Sequence, residues 1–270
     1  MNRIEIGHLI YKNLLKNKAV LKEQYLSSKD KIGYFFIDDI LPKELAESIY
    51  KKFPKTEDAI KKKNLREFKY LAYQMDKYDD LLEEVIYAFQ DKKVVEIIAE
   101  ICDLPSIFPD ENLYAGGLSL MGKDNFLNPH LDNSHDKDRN RWRVLNLLYY
   151  ATPNWQLENG GNLELWQNGL KEKPLTVKSK FNRLVVMATH SNSWHSVSKI
   201  SEENVRTCVS NYYFSDKPIF DSDTFHITTF RAKPSEKIKD SLLQIDNTLR
   251  STVRKVFKKG VRENPHQYKK

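Results

Sequence analysis

The chain has 270 residues, two cysteines and a formal net charge of +7. That length can bury a sizeable core, and the two cysteines exclude a disulfide scaffold or a cysteine-based zinc site. No run approaches the ~18 apolar residues of a spanning helix. The N-terminus, Met1-Asn2-Arg3-Ile4-Glu5, has no apolar segment of the secretory kind, so a soluble protein of the cytoplasm is expected.

The charge is local. Residues 231–270 carry twelve Lys/Arg against four Asp/Glu, and the rest carries 32 basic against 33 acidic residues. A run such as Arg254-Lys255-Val256-Phe257-Lys258-Lys259 suits phosphates, an anionic membrane surface or another anionic partner. The plainer reading is a solvated helix face.

In chain order, residues 1–112 read as mostly helical. Leu9, Ile10, Leu14 and Leu15 mark a first helix, and Tyr34-Phe35-Phe36-Ile37 is a short strand. Leu41, Leu45, Ile49 and Phe53 recur every four residues around Pro42, which suits a first turn. Asp79 and Asp80 open a further pattern through Val85, Phe89, Val94 and Ile98, with acids at the favourable end of the helix dipole. Residues 113–216 change to short β-branched and aromatic runs: Leu118-Ser119-Leu120, residues 144–150, Asn162-Leu163-Glu164-Leu165-Trp166, residues 183–187 and residues 205–214. Their spacing predicts an antiparallel sandwich or jelly roll, with Gly160-Gly161 as a tight turn. After Pro234, Ile238, Leu242, Ile245 and Leu249 predict a last helix. The helices are expected to buttress the β core, within one domain over 1–270.

Within the β region, His130 and Asp132 are two apart and share one side of an extended strand. His195 adds a second imidazole. Two imidazoles and a carboxylate hold Fe(II) on one face and leave the other open. A surface loop is the plainer reading of His130 and Asp132, since Asn128-Pro129 precedes and Asn133-Ser134-His135-Asp136 follows. His135 with Asp136 competes as a pair, but Lys137-Asp138-Arg139-Asn140-Arg141 reads as a solvated loop, leaving His135 a supporting or substrate-facing role. His190 competes with His195. Arg206 serves either an acid ligand or a structural salt bridge. Trp155 and Trp166 read as core, and His8, His226 and His266 receive no role.

The ordered set His130-Leu131-Asp132, Glu158-Asn159-Gly160-Gly161-Asn162-Leu163-Glu164-Leu165-Trp166, Arg183-Leu184-Val185-Val186-Met187, Trp194-His195-Ser196-Val197 and Arg206 resembles the Fe(II)/2-oxoglutarate-dependent oxygenases of the prolyl-4-hydroxylase type over roughly residues 30–216. The resemblance implies an α+β fold, mainly β, with a double-stranded β-helix (jelly roll, cupin-like) over 113–216. A helical buttress (1–112) and a basic helical extension (217–270) flank it. It implies His130, Asp132 and His195 as catalytic iron ligands, and Arg206 as the partner of the distal carboxylate of 2-oxoglutarate. An Arg fork meets a carboxylate with two hydrogen bonds. The implied cofactors are Fe(II), 2-oxoglutarate as co-substrate and O2, with ascorbate as an accessory reductant.

Two departures bear on the co-substrate. Cys208 stands where some relatives have a hydroxyl residue. The family's Tyr on the strand before the H-x-D is missing from Leu118-Ser119-Leu120-Met121-Gly122. The candidate co-substrate contacts are therefore Arg206, Cys208, Asn146 and Tyr149, with Tyr150 as the alternative to Tyr149. The implied reaction is hydroxylation of an unactivated C–H in a prolyl, peptide or small-molecule substrate, with release of succinate and CO2. The carboxylate of Asp132 fills the position that halogenating relatives leave open. Residues 133–143, with Trp142 between Arg141 and Arg143, sit where a substrate lid would be. Two other classes stay open: a non-catalytic jelly-roll binding module, and a nucleic-acid dealkylase of the same chemistry.

Overall fold

The computed structural model describes residues 1–257 and 266–269; Lys258 and Lys259 of the basic run lie outside them. Helix α1 (Arg3–Ser28) starts on a capping box, in which the Asn2 side chain accepts from Ile4 N and Glu5 N, and Glu5 receives Asn2 N–H. Strand β1 (Tyr34–Ile37) and helix α2 (Lys43–Lys52) follow. A hairpin, β2 (Ile60–Lys63) and β3 (Glu67–Ala72), turns where Asn64 Oδ1 accepts from Arg66 N and Glu67 N. The single helical pattern expected beyond Asp79 is two helices, α3 (Asp80–Ala88) and α4 (Lys92–Cys102). The chain breaks between them because Asp91 caps α4, its side chain accepting from Lys93 N.

The remaining strands are β4 (Phe108–Pro109), β5 (Gly117–Met121), β6 (Phe126–Leu131), β7 (Trp142–Tyr150), β8 (Leu163–Leu165), β9 (Leu175–Val177), β10 (Arg183–Ala188), β11 (His195–Val197), β12 (Arg206–Ser215) and β13 (Thr229–Phe230), before helix α5 (Lys237–Val256). All pair antiparallel in one curled sheet, ordered β1-β10-β7-β12-β5-β3-β6-β11-β8-β9. This is the double-stranded β-helix, and each strand run predicted between 118 and 214 lies on one of its strands.

Two strands of the N-terminal part join that sheet. β1 pairs with β10, and β3 lies between β5 and β6, so residues 1–112 are not only a helical buttress. Lys61-Lys62-Lys63 and Arg66-Glu67-Phe68-Lys69 hide β2 and β3 from a search for apolar alternation.

The pleat of the sheet divides the core. On β7 and β10, Leu145, Leu147, Tyr149, Leu184 and Val186 pack with Ile10 and Leu14 of α1 and Val94 and Ile98 of α4. The opposite faces send Tyr150, Val185 and Met187 into the curl with Leu163, Leu165 and Cys208. Each such aliphatic side chain contributes about 1.5–3 kcal/mol by burial, which holds the curl in shape. Trp155 and Trp166 are buried, as expected of core residues.

Helix α5 reverses its expected orientation. Ile238, Leu242, Ile245 and Leu249 are exposed, whereas Leu243 and Asn247 are buried. The inward side is held by polar groups: Asn247 bonds both backbone groups of Phe230, and Arg250 donates to Thr228 O. No described helix is long and apolar enough to cross a membrane.

Gly160 enters the turn before β8 at φ +75°, where a Cβ would lie 2.0 Å from the Lys199 carbonyl oxygen. Gly169 has φ +83° and open space around it. Both Gly→Ala changes carry the left-handed penalty of about 1–2 kcal/mol. Only Gly160→Ala adds a backbone clash, so it should lower the urea midpoint clearly further; equal losses would contradict this account.

Candidate metal and co-substrate site

His130 is the penultimate residue of β6, and Asp132 directly follows the strand. β11 pairs with β6 so that His195 lies directly opposite His130. The three side chains can each offer one ligand atom, all within 4.8 Å of one another. His130 Nε2 lies 3.6 Å from Asp132 Oδ1, and His195 Nε2 lies 3.7 Å from Asp132 Oδ2. The ligand pair is buried, not on a surface loop.

The ring orientations are fixed from behind. His130 Nδ1 lies 3.0 Å from Asn128 O, and His195 Nδ1 lies 2.9 Å from Ser193 O. Each Nδ1–H donates to a carbonyl, so each Nε2 faces inward as a free donor of electrons to a metal. Phe230 stacks on His130 at 5.2 Å. Asn146 Nδ2 donates to Asp132 Oδ2 at 3.2 Å. Burial alone would raise the Asp132 pKa, yet the facing His130 and His195 rings and the positive charge of Arg143 hold it far below the carboxylate range. Burial and the neighbouring His130 push His195 down to about 4. An anionic carboxylate with neutral imidazoles is the protonation state a metal needs.

A small inner cavity of about 90 Å³ runs from the triad to Arg206, past Asn146, Tyr150, Cys208 and Tyr212. Arg206 is buried at 4 % exposure. No described carboxylate pairs with it and its Nε has no partner, although its Nη2 lies 2.9 Å from Met121 Sδ. Its guanidinium sits over the Tyr150 ring at 5.3 Å. Gly161 makes the room: a Cβ there would stand 3.0 Å from Arg206 Cδ. A buried, uncompensated guanidinium facing a triad of metal ligands fits the iron and 2-oxoglutarate pair, one end of the cavity for the metal and the other for a carboxylate.

The expected contacts divide by strand parity. Asn146 and Cys208 line the cavity with Arg206. Tyr149 does not: it points to the helical layer, where its hydroxyl donates to Asn182 Oδ1 at 3.2 Å and its ring packs near Phe89. Successive side chains of a strand face opposite ways, so a strand that sends Asn146 inward sends Tyr150 with it and Tyr149 away. The same rule takes Arg206, Cys208, Ser210 and Tyr212 along one face of β12. Tyr212 was therefore legible but missed. Lys69 and Leu71 were missed with β3. His190 is buried elsewhere against Phe220, outside the triad. Residues 133–143 form a compact hairpin closed by the His135–Trp142 bridge, with Trp142 stacked on Phe225 at 4.0 Å.

Residues 116–214 match the family model of the 2OG-Fe(II) oxygenase superfamily. No curated protein sequence matches the chain. The chain is similar in fold to prolyl 4-hydroxylases from Phytophthora capsici, at 18 % identity and a TM-score of 0.53, covering 94 % of this chain and 80 % of that one. A Pseudomonas putida prolyl-4-hydroxylase gives 15 % identity and 0.50, covering 72 % and 98 %. The non-heme alpha ketoglutarate dependent epimerase SnoN from nogalamycin biosynthesis gives 11 % and 0.50, covering 73 % and 84 %. The matched superfamily uses Fe(II) and 2-oxoglutarate, and His130, Asp132 and His195 form a possible metal site.

Two outcomes test this geometry. Tyr149→Phe should cost about 1 kcal/mol of stability for its hydrogen bond and leave 2-oxoglutarate affinity at the wild-type value, measured by titration of the Fe(II)-loaded protein. The metal-free protein should lose stability on acidification from pH 6.5 to about 4. Over that window the unfolded chain takes up protons at histidine that folded His195 and His135, both near 4, do not. A urea midpoint that stays flat over that window would refute it.

Proposed function

We propose that this oxygenase is a dioxygenase that hydroxylates an unactivated C–H bond of a small-molecule or peptide substrate and releases succinate and CO2. The observation that carries the reading is the buried, carboxylate-free Arg206 facing the His130–Asp132–His195 triad through one cavity. When bound, Fe(II) with 2-oxoglutarate supplies O2 activation and C–H oxidation.

The chain's own groups do the positioning. His130 and His195 present Nε2 because carbonyls hold their opposite nitrogens. Asp132 keeps its charge and is steered by Asn146. Its carboxylate fills the third protein position, which favours hydroxylation over halide transfer. Arg206 receives the distal carboxylate through a fork pre-oriented by Tyr150 and Gly161. Leu127, Leu163 and Val197 wall the cavity and keep bulk water from the reacting centre. The fold shared with prolyl hydroxylases supports a peptide substrate at the level of scaffold only. Cys102 and Cys208 are free and buried, in keeping with a reducing cytoplasm. The basic C-terminal segment supports an anionic partner.

Anaerobic titration of Fe(II) and 2-oxoglutarate should give a visible metal-to-ligand charge-transfer band. His130→Ala should abolish it. Arg206→Ala should retain it with 2-oxoglutarate affinity weakened about 30-fold or more, the cost of truncating a buried charge pair being about 2–5 kcal/mol. No band in the wild type would remove the dioxygenase reading and leave a binding module.

A further inference from the structure

A second, outer cavity of about 570 Å³ opens from His130 and Asp132 toward Arg143, His135 and Arg254. Its own acids do not neutralise it. Glu67 is engaged by Lys69 at 2.9 Å, and the lining residues Arg66 and Arg250 are taken up at 3.0 and 2.9 Å by Asp246, which lies outside the lining. Asp132 belongs to the metal triad. Among the described residues, Arg143, Arg254 and Arg139 form no ion pair.

Arg143 is 2 % exposed. Its Nη2 donates to Tyr114 O at 3.2 Å, its guanidinium lies 3.8 Å over the Tyr212 ring, and its Nε has no partner. Asp110 is buried nearby without pairing to it. His135 is fully buried, its Nδ1 2.6 Å from Asp136 O and its Nε2 without a partner. Arg139 is not part of the cavity lining but lies beside His135 and Arg254, and its Nε is buried and unpartnered. Leaving buried cationic and polar groups unpaired is costly, so these groups are placed for a guest and not for the stability of the fold.

We infer that Arg143, Arg254 and His135, with Arg139 beside them, form a subsite for a phosphomonoester, so that the oxygenase acts on a phosphorylated small molecule whose reacting carbon lies between this subsite and the metal triad. The inference rests on the dioxygenase reading for the reaction, and on the outer cavity alone for the anion. Two guanidinium groups in the lining, with a third beside them, match the several oxygens of a phosphate, whereas a carboxylate occupies a single fork. His135 adds selectivity. Burial, with Arg139, Arg143 and Arg254 around it, holds its pKa at about 4, so the ring is neutral near pH 7. With Nδ1–H given to Asp136 O, Nε2 is an acceptor. A monoanionic phosphomonoester brings the P–OH that such an acceptor needs; a phosphodiester, a sulfate ester and a carboxylate bring none.

The test uses the anaerobic Fe(II)–2-oxoglutarate complex at pH 6.5, titrated with methyl phosphate, dimethyl phosphate, methyl sulfate and acetate, by calorimetry and by the visible band. Methyl phosphate should bind saturably and at least tenfold more tightly than the other three. Arg254→Gln, Arg139→Gln and Arg143→Lys should each weaken it at least tenfold, while Lys173→Gln, an exposed lysine away from the cavity, should leave it unchanged. No saturable binding, equal binding of acetate or dimethyl phosphate, wild-type binding in Arg254→Gln, or displacement of 2-oxoglutarate would overturn the subsite. Absence of the band, with methyl phosphate still bound and lost in Arg254→Gln, would overturn the dioxygenase reading and leave the subsite standing.

Discussion

The carboxylate of Asp132 is held between two imidazoles at the rim of the inner cavity, and the surrounding structure is arranged to keep it there as an anion. A carboxyl buried this far would ordinarily prefer to be neutral. Here His130 and His195 lie on either side, Asn146 donates to one oxygen, and Arg143 adds positive charge from the outer cavity. The same burial that penalises a charged imidazole keeps His195 neutral. One environment thus produces the two opposite protonation states that a metal requires. The environment itself depends on the β6–β11 pairing that sets His195 against His130, and on the helical layer that keeps the far face of the sheet dry.

The pleat connects that packing to the chemistry. Along β7 and β12 alternate residues serve two masters: Leu145, Leu147, Tyr149, Val209 and Tyr213 fill the helix-facing core, while Asn146, Tyr150, Arg206, Cys208 and Tyr212 line the inner cavity. Polar side chains facing the curl therefore sit on strands anchored from behind by apolar ones. A strand built this way has little freedom to move its functional groups, which is the preorganisation that a binding cavity needs.

Much of this was legible from the chain because it rests on short-range geometry. The H-x-D spacing and the later His gave the triad, and the Gly160-Gly161 turn marked the close approach that Arg206 uses. What escaped depended on long-range pairing or on parity. β3 is charge-rich, so its place beside the triad follows from neighbours that a linear pattern does not reveal. Tyr149 was chosen beside Asn146 although the two have opposite parity, an error that the period of the strand exposes. The apolar stripe of α5 obeys helical periodicity and yet faces outward, because Asn247 and Arg250 dock the helix through hydrogen bonds to the strand β13 and its approach. Periodicity says that a stripe exists and leaves open which partner it meets.

The two cavities share a wall and differ in how their cations are carried. Arg206 opens the long central strand β12, between a glycine and a tyrosine ring, and has one position to occupy. Arg139 and Arg254 come from a hairpin tip and the end of a helix, where side chains adapt more readily. A fixed fork suits a ligand of constant shape, and an adaptable cluster suits the charged end of a ligand whose remainder must reach a fixed point. Arg143 joins the two regions. It is the second residue of β7, packs on Tyr212 of the inner wall and faces the outer cavity, so that an anion bound outside is coupled electrostatically to Asp132 within. Neutralising Arg143 from the outer side weakens its pull on Asp132 and leaves that carboxylate a stronger donor to its metal.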